Sequence, residues 1–193
     1  CIRDSAAVPV MKYGTEEQKQ LCADILFRKG GLGSFCLTEP GSGSDSGASR
    51  MTAVRQGDSY VLNGTKCFIT NGGYAELYFV IASTDRSKGN KGLGGFLVTR
   101  DTPGLTVGKE EDKCGFRTSN TVELVFEDVV VPASCRVGRE GDGFKQAMAA
   151  LDHGRPYIGA VALGVGQRAL EEAIAYSKVR SQFGQPICNN QAI

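Results

Sequence analysis

The chain has 193 residues, 41% of them hydrophobic and 22% charged, which is the balance of an ordinary folded protein and not of a disordered tail. Its 22 Lys and Arg stand against 21 Asp and Glu, a formal net charge of +1, so no overall field holds nucleic acid or an anionic membrane, and any anionic ligand has to be gripped by local groups. One His and seven scattered Cys, none in a Cys-x-x-Cys pair, argue against a His cage, a zinc site or any other metal, and against a disulfide framework; reduced thiols in the cytoplasm or an organelle matrix are expected.

Cys1-Ile2-Arg3-Asp4 has no initiator Met and no basic stretch leading into an apolar one, so the start reads as a cut and not as a signal peptide. Residues 15–29 predict a helix. Thr15 can cap it, Gln18 sits at the capping-box position, Leu21, Ile25 and Leu26 share a face, and Gly30-Gly31 ends it. From Ser34 the pattern changes to short β-rich runs at 35–38, 51–55, 60–62, 66–70, 77–83, 96–99, 105–107 and 121–131. Turn signals separate them at Gly57-Asp58, Asn63-Gly64, Asn71-Gly72-Gly73, Gly89-Asn90 and Pro103-Gly104. Asn63-Gly64-Thr65 also spells a glycosylation sequon, but a hairpin turn is the simpler reading in a chain of this kind. Val122, Leu124 and Phe126 alternate with Glu123, Val125 and Glu127, which buries one face. These runs predict a mainly antiparallel barrel or sandwich.

After Pro132 the pattern is helical. A short amphipathic stretch at 143–151 precedes a longer helix at 155–180, with Asp152 placed to cap it and Pro156 suited to its first turn. Ile158, Val161, Val165, Ala169, Ala173 and Ile174 recur at helical spacing, and Gly159, Gly164 and Gly166 would let a neighbouring helix come close. Gly184 and Pro186 end this helix, and Gln191-Ala192-Ile193 opens another as the sequence stops. The longest nearly apolar run, 157–166, is well short of the roughly 20 residues that span a bilayer.

Glu39-Pro40-Gly41-Ser42-Gly43-Ser44-Asp45 follows a β-run. Its glycines can expose backbone N–H groups to an anionic group and its serines add hydroxyl donors, although composition alone favours a surface turn. The glycine spacing is wrong for a dinucleotide fingerprint, and β-runs follow where a crossover helix is needed, so an NAD-binding reading is weak. Two strand ends, Phe35 with Thr38 and Phe68 with Thr70, each pair an aromatic or apolar surface with a hydroxyl, which suits a flat heteroaromatic ring. Arg155 and Arg180 are candidates for a phosphate or pyrophosphate, with a solvated role at least as natural for each alone. Lys109-Glu110-Glu111-Asp112-Lys113 reads as solvated surface. His153 has no metal-binding or nucleophilic companion in the sequence.

In combination these motifs resemble the acyl-CoA dehydrogenase family. The resemblance is carried by Phe35-Cys36-Leu37-Thr38-Glu39-Pro40-Gly41-Ser42-Gly43-Ser44-Asp45, by 63–72, by 125–132, and by Arg180-Ser181-Gln182-Phe183-Gly184 with Gln191, in the family's order and nearly end to end. It implies a mixed α+β flavoprotein: residues 1–33 as the end of an N-terminal helical domain, 34–135 as a middle β-domain, and 136–193 as the start of a C-terminal helical bundle. It further implies that Phe35, Leu37, Thr38, Phe68 and Thr70 flank the isoalloxazine of FAD, with Thr70 near N5 and Thr38 at the pyrimidine edge. Ser44, which also stands among the cofactor contacts, Asp152 and Arg155 correspond to acyl-CoA contacts. Arg180 and Gln191 correspond to residues that reach the FAD of a neighbouring subunit, hence a homo-oligomer, either dimer or tetramer.

The implied reaction is α,β-dehydrogenation of an acyl-CoA in fatty acid or amino acid catabolism, with electrons passed to an electron-transferring flavoprotein. Members of the family supply a catalytic Glu either from the bundle, past Ile193, or from the helix ahead of Arg155, where this chain has Gly154, so no residue here is assigned as the base. Phe68 stands where many members have Trp. The alternative is a family-derived scaffold or interaction domain without dehydrogenase activity.

Overall fold

The computed structural model describes residues 2–191; by its contacts the chain divides into two compact units, Cys1–Gly154 and Arg155–Ile193. In the first unit, helix α1 (Ile2–Tyr13) contains Pro9 and buries Ala6, Ala7 and Val10; its small residues give no sharp helical period, and the sequence reading passed over it. Helix α2 (Glu16–Ala23) has the expected capping box: Gln18 N donates to Thr15 Oγ1 at 3.3 Å and Thr15 N donates to Gln18 Oε1 at 3.1 Å. The helical path widens into a π-type turn over Asp24–Arg28, and Gly30, at φ +71°, turns the chain out of it.

Eight strands follow: β1 (Gly33–Cys36), β2 (Thr52–Gln56), β3 (Ser59–Thr70), β4 (Leu77–Ser83), β5 (Leu93–Thr99), β6 (Leu105–Glu110), β7 (Thr121–Pro132) and β8 (Arg136–Val137). They form one sheet in the order β6-β7-β3-β2-β4-β5-β8, with β1 added in parallel to β4. Apart from that pair and a single parallel contact, Thr52 with Ser83, the pairings are antiparallel. The architecture is therefore mixed α+β with a mainly antiparallel sheet, as expected. The sheet folds over itself, because Tyr60, Leu62, Leu124 and Phe126 from β3 and β7 share a core with Tyr78, Val80 and Phe96 from β4 and β5. The Tyr60 and Phe96 rings meet edge to face at 5.0 Å. The opposite parity of β4, Leu77, Phe79 and Ile81, packs with Ala6, Val10 and Leu26 of the helical segment. A strand covered on both faces accounts for the unbroken apolar run at 77–83.

The hairpin expected at Asn63-Gly64 is absent. β3 runs straight through it, and the hairpin falls at Gly57-Asp58, where Gln56 pairs with Ser59 and Gly57 takes φ +59°. Asn63 and Gly64 instead sit at a bulge against β7, between the pairs of Leu62 and Gly64. Asn63 Nδ2 donates to Asp128 Oδ1 at 3.0 Å, and Asp128 N donates to Asn63 Oδ1 at 2.8 Å. Asp128, at φ +50°, absorbs the extra residue, so the buried set of β7 changes phase from Val122, Leu124 and Phe126 to Val129 and Val131. The charged run at 109–113 is not all solvated either: Lys113 Nζ donates to Ser119 O and, at 2.9 Å, to Thr121 Oγ1, while Glu110 Oε1 accepts from Asn120 Nδ2 at 2.8 Å.

Helix α3 is continuous over Gly143–Val179, so the two helices expected at 143–151 and 155–180 are one, and Asp152 lies inside it and not at a helix start. Pro156 lies inside it and has no N–H to give to the carbonyl four residues earlier. In the second unit Ile158, Leu163, Val165 and Ile174 are exposed, and nothing lies within 4 Å of a Cβ built on Gly159, Gly164 or Gly166. The chain then makes a small hairpin, β9 (Ser181–Gln182) with β10 (Gln185–Pro186), turned by Phe183 and Gly184 at φ +55° and +78°. Beyond Gln191, the helix expected there lies outside the described residues. The six described cysteines are free thiols.

Candidate functional site

The ladder from β1 to β4 ends at Cys36, paired with Val80, and Leu37 and Thr38 run on past it. β3 takes over their support. Cys67 N donates to Thr38 O at 2.9 Å, and Lys66 Nζ donates to Leu37 O at 2.9 Å. Lower in the same pair of strands, Ser34 Oγ donates to Thr70 O at 2.9 Å. Between Lys66 and Ile69 the register of β3 on β7 shifts again, and Phe68, at φ +57°, is turned outward with 62% of its surface exposed. An aromatic residue held in the left-handed region is strained, and such strain collects at ligand-binding places.

These two strand ends enclose a cavity of about 230 Å³ lined by Phe35, Leu37, Thr38, Phe68 and Thr70, with Ile69 from β3, Ser5 from α1 and Leu151 from α3. Phe35 is stacked on Phe79 with the rings 9° from parallel and 6.1 Å apart, which fixes the tilt of that wall from below. The walls are apolar and aromatic, and Thr38 and Thr70 add hydroxyls that donate and accept. A cavity of this size and chemistry seats a flat fused ring with polar edges and is too small for a whole dinucleotide. Five of the sequence-derived residues are thus brought together.

The others are not in this cavity. Ser44 is exposed on the 39–45 loop, where a Cβ on Gly41 or Gly43 would meet nothing within 4 Å, so the loop's backbone is open to an approaching group. Asp152 lines a second, wider cavity of about 690 Å³ with Lys12, Tyr13, Phe144, Lys145 and His153. There the Lys12 and Lys145 ammonium groups lie 5.5 and 5.8 Å from the centre of the Tyr13 ring. Arg155, Arg180 and Gln191 are exposed residues of the second unit.

The sequence reading missed the buried ion pair behind the first cavity. Lys66 is completely buried and Glu39 is 6% exposed, with Nζ 2.8 Å from Oε1. Glu39 Oε1 also accepts from Ser49 Oγ and Met51 N, and Oε2 accepts from Arg50 N at 2.7 Å. Burial alone would push the Glu39 carboxyl up; the Lys66 ammonium, together with the hydrogen bonds from Lys66, Ser49 and Arg50, outweighs it and holds the group below the usual carboxylate range. The parity of β3 was the available signal: Tyr60, Leu62 and Lys66 are spaced by twos toward the core, and an inward Lys requires a partner. Among the described residues no cluster of His, Cys, Asp or Glu is arranged to hold a metal, and no helix is long and apolar enough to cross a membrane.

Comparison with known proteins gives a consistent set of matches. The family model described as acyl-CoA dehydrogenase, middle domain, matches residues 34–129, and the one described as acyl-CoA dehydrogenase, C-terminal domain, matches 141–193. The short-chain specific acyl-CoA dehydrogenase of Megasphaera elsdenii is 50% identical over 188 residues, 97% of this chain and 49% of that protein. A solved chain described as the electron transferring flavoprotein of Acidaminococcus fermentans superposes with a TM-score of 0.95 at 47% identity, over 99% of this chain and 50% of its own. A glutaryl-CoA dehydrogenase from Mycobacterium smegmatis, in complex with FADH2, superposes with a TM-score of 0.90 at 38% identity, over 98% of this chain and 48% of its own. The chain spans about half the length of the curated relatives it matches.

Proposed function

The chain belongs to the acyl-CoA dehydrogenase family, and on that premise we propose that it carries the flavin-holding part of an FAD-dependent enzyme that takes hydrogen from the α and β carbons of an acyl-CoA thioester. The observation that carries this reading is the cavity of about 230 Å³ at the ends of β1 and β3. Its residues suit FAD: Phe35, Leu37 and Phe68 would lie against the isoalloxazine, the Thr70 hydroxyl would bond near N5, and the Thr38 hydroxyl would meet the pyrimidine edge. When bound, FAD supplies the hydride acceptor. The protein's own part is to hold that ring in one tilt, to keep water off it with apolar walls, and to place hydroxyl donors at its edge before the substrate arrives.

In the same reading Ser44, Asp152 and Arg155 contact acyl-CoA, and Arg180 and Gln191 reach the FAD of a second copy in a homo-oligomer. The base that removes the α-proton is a Glu from outside the residues assigned here. Residues 1–33 then end a helical domain, 34–135 form the middle β-domain, and 136–193 begin the C-terminal bundle. The Megasphaera relative is named for short acyl chains, which makes a short-chain acyl-CoA the first substrate to test. The electron acceptor in this proposal is an electron-transferring flavoprotein, and the setting is the cytoplasm or the mitochondrial matrix.

Titration of the chain with FAD, followed by visible absorbance and fluorescence with NAD as control, tests the proposal. Selective FAD binding with a perturbed flavin spectrum is expected. Binding of NAD with no response to FAD would refute it.

A further inference from the structure

We propose that the buried Lys66–Glu39 pair is a positioning device for the flavin cavity, holding the Leu37–Thr38 wall where no sheet ladder reaches it. The inference rests on the flavin reading above and adds residues to that site that do not line it. β1 stops at Cys36, one residue before the wall begins. The next two carbonyls are each held from β3: Leu37 O by Lys66 Nζ and Thr38 O by Cys67 N, both at 2.9 Å. The ammonium is what makes the first of these possible, since a backbone N–H of β3 cannot serve two successive carbonyls that point to opposite sides. Glu39 in turn aims the ammonium and ties it to the chain leading into β2, through Ser49 Oγ, Arg50 N and Met51 N. Three segments therefore meet at one carboxylate, and the cavity wall hangs from its partner.

Stability is a poor explanation for such a pair. Two buried charges lose hydration that their attraction barely recovers, and replacement of both by neutral groups of similar volume is often tolerated. An apolar residue at 66 would fill the space equally well, but it would leave Leu37 O without its donor and the wall free to shift. Geometry at the flavin, and not folding, is the property that requires a lysine here.

The experiment compares the full wild-type chain, Lys66→Met, and Lys66→Met combined with Glu39→Gln. Each is measured for FAD dissociation constant, for the fine structure of the bound flavin's absorbance band, and for its urea unfolding midpoint. The single variant strands a buried carboxylate and is expected to unfold early. The double variant is expected to unfold near the wild-type midpoint yet to bind FAD weaker by on the order of tenfold, with a broadened flavin band, because the charge-assisted bond to the wall is gone in both. Wild-type FAD affinity and band shape in the double variant would overturn the proposal. So would flavin affinity that merely tracks the unfolding midpoint across the three proteins, since that is the signature of a structural pair. Failure of the wild-type chain to bind FAD at all would instead overturn the flavin reading itself, and the inference with it.

Discussion

Phe68 offers a perturbation in which folding and ligand binding part company. Its ring is 62% exposed and its backbone sits at φ +57°, so Phe68→Gly removes a side chain that contributes little to the core and replaces a strained residue with one that adopts this conformation freely. Relief of the left-handed backbone is worth about 1–2 kcal/mol, and glycine's greater freedom in the unfolded chain takes back about 0.5–1 kcal/mol. The buried third or so of a ring that covers about 200 Å² amounts to roughly 75 Å², or about 2 kcal/mol at 25 cal/mol per Å² as an upper bound. The terms leave a net loss of stability of about 0.5–2 kcal/mol. Stacking of a heteroaromatic ring on an aromatic side chain is worth about 1–3 kcal/mol, so FAD affinity should fall by roughly 5-fold to 150-fold. Urea unfolding and a flavin fluorescence titration on the same preparation measure both quantities. Unchanged FAD affinity would remove Phe68 from the site, and a loss of stability above about 3 kcal/mol, the range of a buried Phe, would show that its ring belongs to the core.

Thr70→Val keeps the shape of the cavity wall but removes a hydroxyl, and flavin affinity should drop about fivefold, the equivalent of one neutral hydrogen bond of about 1 kcal/mol; equal affinity in the two proteins would exclude the bond. Gly143→Ala should destabilise by about 1–3 kcal/mol, measured by urea unfolding, because a Cβ there would sit 2.6 Å from Leu93 C and 2.7 Å from Gly94 N, where α3 begins on β5. Glu39 has its carboxyl held below the ordinary range in the folded state, with burial opposing and Lys66 leading the groups that lower it. Its contribution is therefore present above the unfolded carboxylate pKa and is lost as pH falls through the folded one, so the urea midpoint should drop on acidification below about pH 4.5 and should do so less steeply in Glu39→Gln. Burial pushes the Cys36 thiol up to about 12, and Cys114 is exposed; timed alkylation read by mass spectrometry should therefore modify Cys114 early and Cys36 only on unfolding.

The parts of the fold that were legible are those where one local rule acts alone. The capping box at Thr15 and Gln18 is satisfied within four residues, and the apolar run at 77–83 is buried on both faces, so each reads the same in the sequence and in the structure. Asn63-Gly64 was misread because two rules share one spelling. Asn-Gly favours a hairpin, but a glycine at φ +143° beside a bulge meets the same need for a missing Cβ: here a Cβ would lie 3.0 Å from Met51 Cα. Pairing with β7 decided the matter, and that strand lies some 60 residues away in sequence. The division expected at Asp152 failed for the converse reason. Pro156 and Gly154 are local breakers, yet one missing hydrogen bond in a 37-residue helix is a small defect beside the turns that continue on each side.

The candidate site shows the same divide between local and long-range causes. Phe35, Thr38, Phe68 and Thr70 could be nominated from strand ends alone, because each pair is close in sequence. That the two ends face one cavity depends on Cys67 N reaching Thr38 O and on the bulge that turns Phe68 outward. Neither has a spelling in the sequence. Lys66 was the hardest to place, since a lysine among strand residues reads as solvent-facing unless the parity of the strand is followed from Tyr60 through Leu62 to position 66. Followed that far, the parity puts an ammonium in the core, and a buried ammonium demands a carboxylate. The nearest acidic residue that follows a buried β-run is Glu39, at the head of the glycine-rich 39–45 loop. The loop's conspicuous residues and its anchoring residue are thus different: Gly41, Gly43 and Ser44 stay open to a ligand because Glu39, turned inward onto Lys66 and the 49–51 backbone, holds the base of the loop still.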